Sequence, residues 1–161
     1  MEKKTLTKEQ LSKRFFRRLK DYRNSRKLIF FDEVDFKQTN LQVQINEDDV
    51  PIALLKLKNS EQILITIRAL YHIKKSVVTK IEAKDLEECK YLPHENAFEL
   101  RQKSLYHKLK NKFELTFLIG KVQIQTKNNS FIDLYMTRAK YLFVLTGMIK
   151  MLRDYSFYKI S

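Results

Sequence analysis

Leu11, Phe15, Leu19 and Tyr22 recur at spacings of four, four and three, which puts them on one stripe of a helix. Lys13, Arg14, Arg17, Lys20 and Arg23 fall mostly off that stripe, so the helix reads as amphipathic with a basic outer face. Thr7-Lys8-Glu9-Gln10 has the form of a capping box: a threonine hydroxyl accepts from the amide three residues on, and the glutamine side chain reaches back. The helix is therefore expected to begin after Thr7 and to end near Asn24-Ser25.

From Lys27 the period changes. Leu28 to Phe31 is a short apolar run, and Leu41-Gln42-Val43-Gln44-Ile45 alternates as a half-buried strand does. An acidic turn follows at Asn46-Glu47-Asp48-Asp49. Pro51 to Leu57, Ile63 to Ile67, Ala69 to Ile73, Val77 to Ile81 and Leu86 to Leu92 are short apolar or β-branched runs, the first two separated by the polar turn Lys58-Asn59-Ser60-Glu61. Such close spacing, without long helices between, favours antiparallel pairing over βαβ units.

Pro93 to Lys112 permits either a helix through Phe98, Leu105 and Leu109 or a long loop, with helix slightly favoured. Phe113 to Phe117 and Val122 to Gln125 alternate on either side of Gly120-Lys121, which predicts a hairpin with a two-residue turn there. Lys127-Asn128-Asn129-Ser130 is a second turn, leading to a strand from Phe131 to Tyr135. Tyr141, Leu142, Leu145, Met148, Ile149 and Leu152 then repeat at helical spacing, so a long helix from Met136 or Thr137 is expected to close the chain. Gly147 inside it costs about 1 kcal/mol relative to alanine, and close packing against a neighbour is the usual reason for such a residue. The fold class read from this order is α+β: an N-terminal basic helix (1–26), then a unit (27–161) of about seven antiparallel strands and a C-terminal helix.

Three stretches resemble the bacterial pleckstrin-homology-like domains and the related GRAM domains. Gln62 to Ile73, with Thr66-Ile67-Arg68-Ala69-Leu70-Tyr71 at its centre, is similar to the family's paired strands and the turn between them. Val78 to Cys89, with its isoleucine leading to Asp85-Leu86, resembles the following strand, and Lys121 to Asp133 running into the helix from Thr137 resembles the last two strands and closing helix. Together they cover roughly residues 50 to 153. The resemblance implies a bent antiparallel sheet or barrel of seven strands capped by the final helix, and a role in binding.

The charge adds a partner class to this picture. The 161 residues carry 32 Lys and Arg against 19 Asp and Glu, a formal charge of +13. Residues 1–27 hold +8 of it, so the charge is concentrated on the N-terminal element. Candidate anion-binding residues are Lys13, Arg14, Arg17, Arg18, Arg23 and Arg26, with Lys108 and Lys110 from the later basic segment. Phe15, Phe16 and Tyr22 interleave with the arginines, and the stripe assigns Phe15 and Tyr22 to packing and leaves Phe16 the more exposed. The expected partner is a protein or an anionic lipid surface, with nucleic acid as the alternative. One cysteine and no apolar run of membrane-spanning length point to a cytoplasmic location, compatible with peripheral attachment at the inner membrane face.

Most catalytic chemistries find no footing. With only Gly120 and Gly147, no glycine-rich phosphate loop can form, which excludes P-loop and dinucleotide-binding enzymes. Cys89, His94 and His107 lack the paired spacing of a structural zinc site, so no metal or other cofactor is expected. Cys89 reads as a small buried apolar residue, although His72, His94 or His107 would each be a formal partner for a nucleophilic thiol. Asp32-Glu33-Asp35 and Glu47-Asp48-Asp49 read as turn residues. A binding module without catalytic residues is the expectation.

Overall fold

A computed structural model describes residues 5–20, 27–41, 43–57, 60–93, 120–136 and 139–160. Its first helix, α1 (Lys8–Leu19), starts where the capping box predicts. The Gln10 amide donates to Thr7 Oγ1 at 3.2 Å, and the Thr7 amide donates to Gln10 Oε1 at 3.2 Å. Leu11, Phe15 and Leu19 are buried, as the stripe requires; Phe16 is half-buried against the same core rather than exposed. Tyr22 lies outside the described residues, as do Asn24 and Ser25.

Before α1, the short strand β1 (Thr5–Leu6) pairs in parallel with β10 (Lys159–Ile160) near the other end. Two antiparallel sheets make up the body. The first has the order β2 (Leu28–Phe30), β3 (Pro51–Lys56), β4 (Gln62–Thr66), β5 (Ala69–Lys74), β6 (Val77–Glu82), and the second runs β7 (Leu86–Pro93), β8 (Gly120–Thr126), β9 (Phe131–Met136). Among the described residues, the seven longer strands, β3 to β9, thus form two sheets that do not close into a barrel. Between the last strands sits the expected turn, in which Thr126 Oγ1 hydrogen-bonds to the side chains of Asn128 and Ser130 and Asn129 takes a positive φ of 60°. The final helix is α2 (Ala139–Tyr155), which packs along β7 and also touches α1, β8 and β9.

Both faces of the first sheet are covered, and this is why β3 and β4 read as continuous apolar runs. Ile52, Leu55, Ile63, Ile65 and Leu70 join the main core with Leu11 and Phe15 of α1, Val122, Ile124 and Leu134 of the second sheet, and Leu145, Met148 and Leu152 of α2. Leu54, Leu64, Ala69, Tyr71 and Ile73 point the other way, into a second cluster. Covering that second cluster are Phe31, Phe36, Leu41, Val43 and Ile45. Here the structure corrects the expected strand at Leu41–Ile45, since the described residues of this stretch form no regular element. The alternation reported which side chains face the sheet, but the segment packs over the face of the sheet and pairs with no strand among the described residues.

Both glycines also depart from expectation. Gly120 is the first residue of β8, paired with Pro93 and Met136, and makes no turn. Its lack of a side chain serves close approach instead: a Cβ there would sit 2.5 Å from the Leu92 carbonyl oxygen of β7. Around Gly147 the reverse holds, because a Cβ would meet no atom within 4 Å, so close packing does not explain it. Gly147→Ala should therefore stabilise the protein by up to about 1 kcal/mol through helix propensity alone. Urea denaturation read by circular dichroism checks this, and a destabilised variant would mean that the helix packs differently.

Candidate binding surfaces

Burying Leu11, Phe15 and Leu19 fixes which residues α1 presents outward. Lys13, Arg17 and Arg18 are exposed, and Arg14 is half-buried with its guanidinium carbon 5.9 Å from the centre of the Tyr158 ring. Lys13 donates to Glu9 at 2.6 Å and Lys8 to Asp48 at 2.7 Å; among the described residues no carboxylate ion-pairs with Arg17 or Arg18. Arg23, Arg26, Lys108 and Lys110 lie outside the described residues. The structure thus gathers four of the eight candidate anion-binding residues on one helix.

Tyr158 leads from this helix to a recess that sequence reasoning missed. Its ring packs edge-on against Tyr155 at 5.9 Å, Tyr155 packs in turn on Phe15 at 5.2 Å, and both tyrosines line a concavity of about 330 Å³. Arg68 from the β4–β5 turn, Lys84 from the 3-10 turn after β6 and Lys159 of β10 line it as well. Its lining carboxylate is Glu82, which Lys80 and Lys84 hold at 2.9 and 3.3 Å. Hydrogen bonds from those two lysines lower the Glu82 pKa, so Glu82 is ionised and already neutralised. The cations lie 16 to 91 residues apart in sequence, and no local spacing signals them.

Arg68 is placed by the acidic turn before β3. Asp49 is buried and accepts from the Thr66 hydroxyl at 2.6 Å, the Val50 amide at 2.9 Å and the Arg68 amide at 3.1 Å. Burial raises its carboxyl above the ordinary aspartate value even though all three bonds oppose the rise. Asp49 is thus a structural tie across two turns. Asp48 beside it pairs with Lys8, and Asp35 caps a 3-10 turn by accepting from the Lys37 amide at 2.9 Å. These acidic residues serve turns and contacts, as expected.

A groove of about 390 Å³ separates β7 from α2, lined by Leu86, Glu88 and Cys89 on one side and by Phe143, Gly147, Lys150 and Arg153 on the other. Cys89 is half-buried there rather than fully buried. Desolvation pushes its thiol up to about 11, the opposite of what a nucleophile at neutral pH needs. His72 is engaged elsewhere, its Nε2 lying 2.5 Å from Glu61 Oε1. His94 and His107 lie outside the described residues. Among those described, no three His, Cys, Asp or Glu side chains gather as metal ligands, and no helix is long and apolar enough to cross a membrane. Comparison with protein families, curated proteins and solved structures finds no match to this chain.

Proposed function

We infer that this chain is a non-catalytic binding module of pleckstrin-homology-like architecture that engages an anionic protein or lipid surface through the outer face of α1 and the adjoining tyrosine-lined recess. Two antiparallel sheets in meander order followed by a packed helix support the architecture. The observation that carries the function is the continuity of positive charge: Arg17 and Arg18 on the exposed face, Arg14 on the Tyr158 ring, and Arg68, Lys84 and Lys159 around the concavity that ring lines. Gathering like charges on one surface raises the energy of the free protein, and an anionic partner relieves it.

Arg17 and Arg18 offer a clean test because both are exposed, whereas Arg14 contributes to packing. At about 1 kcal/mol per basic residue near an anionic surface, Arg17→Glu with Arg18→Glu should weaken binding to phosphatidylserine vesicles or to an acidic protein surface by at least 30-fold. The thermal transition should stay within about 2 °C of wild type, because surface changes of this kind alter stability by about 0.5 kcal/mol or less. Vesicle co-sedimentation at two salt concentrations reads the first and a melting curve the second. Unchanged binding would remove α1 as the site. A log–log salt slope of several units with a duplex oligonucleotide, absent with vesicles, would assign the face to nucleic acid instead.

A further inference from the structure

Protein and lipid both answer the charge of the α1 face; the turn between α2 and β10 distinguishes them. Resting on the reading of α1 as the anion-binding face, we propose that the partner is a bilayer containing anionic phospholipid and that the Phe157 ring inserts into it.

Phe157 is 66% exposed, more than any other described aromatic side chain. Its neighbours alternate around it: Tyr155, Tyr158 and Ile160 pack against the main core, whereas Phe157 and Lys159 face solvent. Ser156 and Tyr158 line the tyrosine recess and Phe157 does not, so its ring projects away from that concavity. Among the described residues it stacks on no other ring. The turn that carries it is well bonded. The Ser156 amide donates to the Leu152 and Arg153 carbonyls, each at 3.1 Å, the Ser156 hydroxyl donates to Arg153 at 2.6 Å, and the Tyr158 amide donates to Tyr155 at 3.0 Å. A fixed backbone thus holds an apolar ring out in water, where the free protein gains no burial from it.

Cations surround this ring. The centre of the adjacent Tyr158 ring lies 5.9 Å from the Arg14 guanidinium carbon, and Arg17 and Arg18 follow one turn further along α1. Lys159 comes two residues after Phe157, and Arg68 and Lys84 share the recess with Tyr158. The nearby carboxylates are already answered: Arg153 holds Asp154 at 3.3 Å, and Lys80 and Lys84 hold Glu82. Helix and turn are tied together, since Tyr155 packs on Phe15 at 5.2 Å and β1, paired with β10, runs directly into the Thr7 cap.

One ring among cations suits a bilayer better than a protein. The centre of a protein interface is built from several apolar side chains packed with complementary shape. Phe143, the next most exposed ring, lies about 18 Å back along α2 from the end of that helix, so the two do not form one patch. An anionic leaflet needs neither a patch nor a shape fit. Its phosphates meet the cations in any arrangement, and the boundary between headgroups and acyl chains takes an isolated aromatic ring.

The chain contains no tryptophan, so Phe157→Trp installs a single fluorescent reporter at an exposed position. With vesicles of phosphatidylserine and phosphatidylcholine this variant should show blue-shifted emission and quenching by lipids brominated in the acyl chain. Phosphatidylcholine alone and poly-glutamate should produce neither. Phe157→Ser should weaken co-sedimentation with the anionic vesicles by about fivefold or more, with a melting temperature within about 2 °C of wild type. Emission that stays unshifted and unquenched on sedimenting vesicles would overturn the insertion; if Arg17→Glu with Arg18→Glu still prevents sedimentation, the reading of α1 survives that result. Sedimentation indifferent to the double variant would overturn the α1 reading itself and the proposal with it. Binding of poly-glutamate but not of anionic vesicles would assign the surface to an acidic protein and equally overturn the proposal.

Discussion

Leu145→Ala should destabilise the protein by about 2–5 kcal/mol, because the truncated side chain leaves a cavity where α2 meets the second sheet. Leu145 is 0% exposed and shares one core with Val122 and Ile124 of β8 and Leu134 of β9, themselves 0% exposed. A site enclosed from several elements cannot collapse to fill the space, which places the cost toward the upper part of the range. For a chain of this size the melting temperature should fall by roughly 4–20 °C. Phe143→Ala on the same helix provides the control: at 63% exposed it should change stability by no more than about 0.5 kcal/mol. Equal losses at the two positions would mean that the packed face of α2 has been misidentified. Leu142, which the apolar spacing places beside Leu145, has its side chain outside the described residues.

Asp49→Ala carries the second large effect. Its carboxylate receives the Thr66 hydroxyl and the amides of Val50 and Arg68, and removing it leaves part-buried donors without their acceptor. The hydroxyl retains the Ala69 carbonyl at 3.0 Å and the Arg68 amide retains the Thr66 hydroxyl oxygen at 3.3 Å, so the Val50 amide bears most of the loss, about 1–3 kcal/mol. The pH dependence has a definite sign. Because burial raises the Asp49 pKa above its unfolded value, the folded protein binds the proton more tightly than the unfolded chain does. The resulting contribution is fully present below the ordinary aspartate pKa and is lost as pH rises through the raised one. Urea denaturation should therefore show a larger wild-type advantage over Asp49→Ala near pH 3 than near pH 7. Asp133 behaves oppositely: the Lys121 hydrogen bond at 2.5 Å lowers its pKa, so its contribution is lost only as pH falls through that lowered value. A wild-type advantage that shrinks on acidification would contradict the assignment of Asp49 as a desolvated carboxyl.

The proposed site was legible only where its residues are neighbours in sequence. The α1 stripe and the basic positions between its members follow from helical spacing, so Lys13, Arg14, Arg17 and Arg18 stand out from the order of residues alone. Arg68, Lys84, Lys159 and Tyr158 do not, because they share a surface only after β4, β6, β10 and the end of α2 come together. The groove beside β7 was hidden for a similar reason. Gly147 signalled something unusual, but spacing cannot distinguish a glycine that admits a neighbour from one that leaves a wall open.

By itself the sequence determined where α1 begins, which faces of α1 and α2 are apolar, and that β3 to β7 follow one another as short antiparallel strands. Each of these depends on local chemistry: a capping box, a period of 3.6, or an apolar run between polar turns. Only the tertiary structure decided that Leu41–Ile45 covers a sheet without joining it. Alternation records which side chains are buried and says nothing about where their backbone finds hydrogen bonds. Likewise, Gly120 looks like a turn in isolation, and its place inside β8 follows from the close passage of β7. The division of the described strands into two sheets was also invisible in the sequence, since strand partners are chosen by long-range packing against α1 and α2, a choice that no window of neighbouring residues contains.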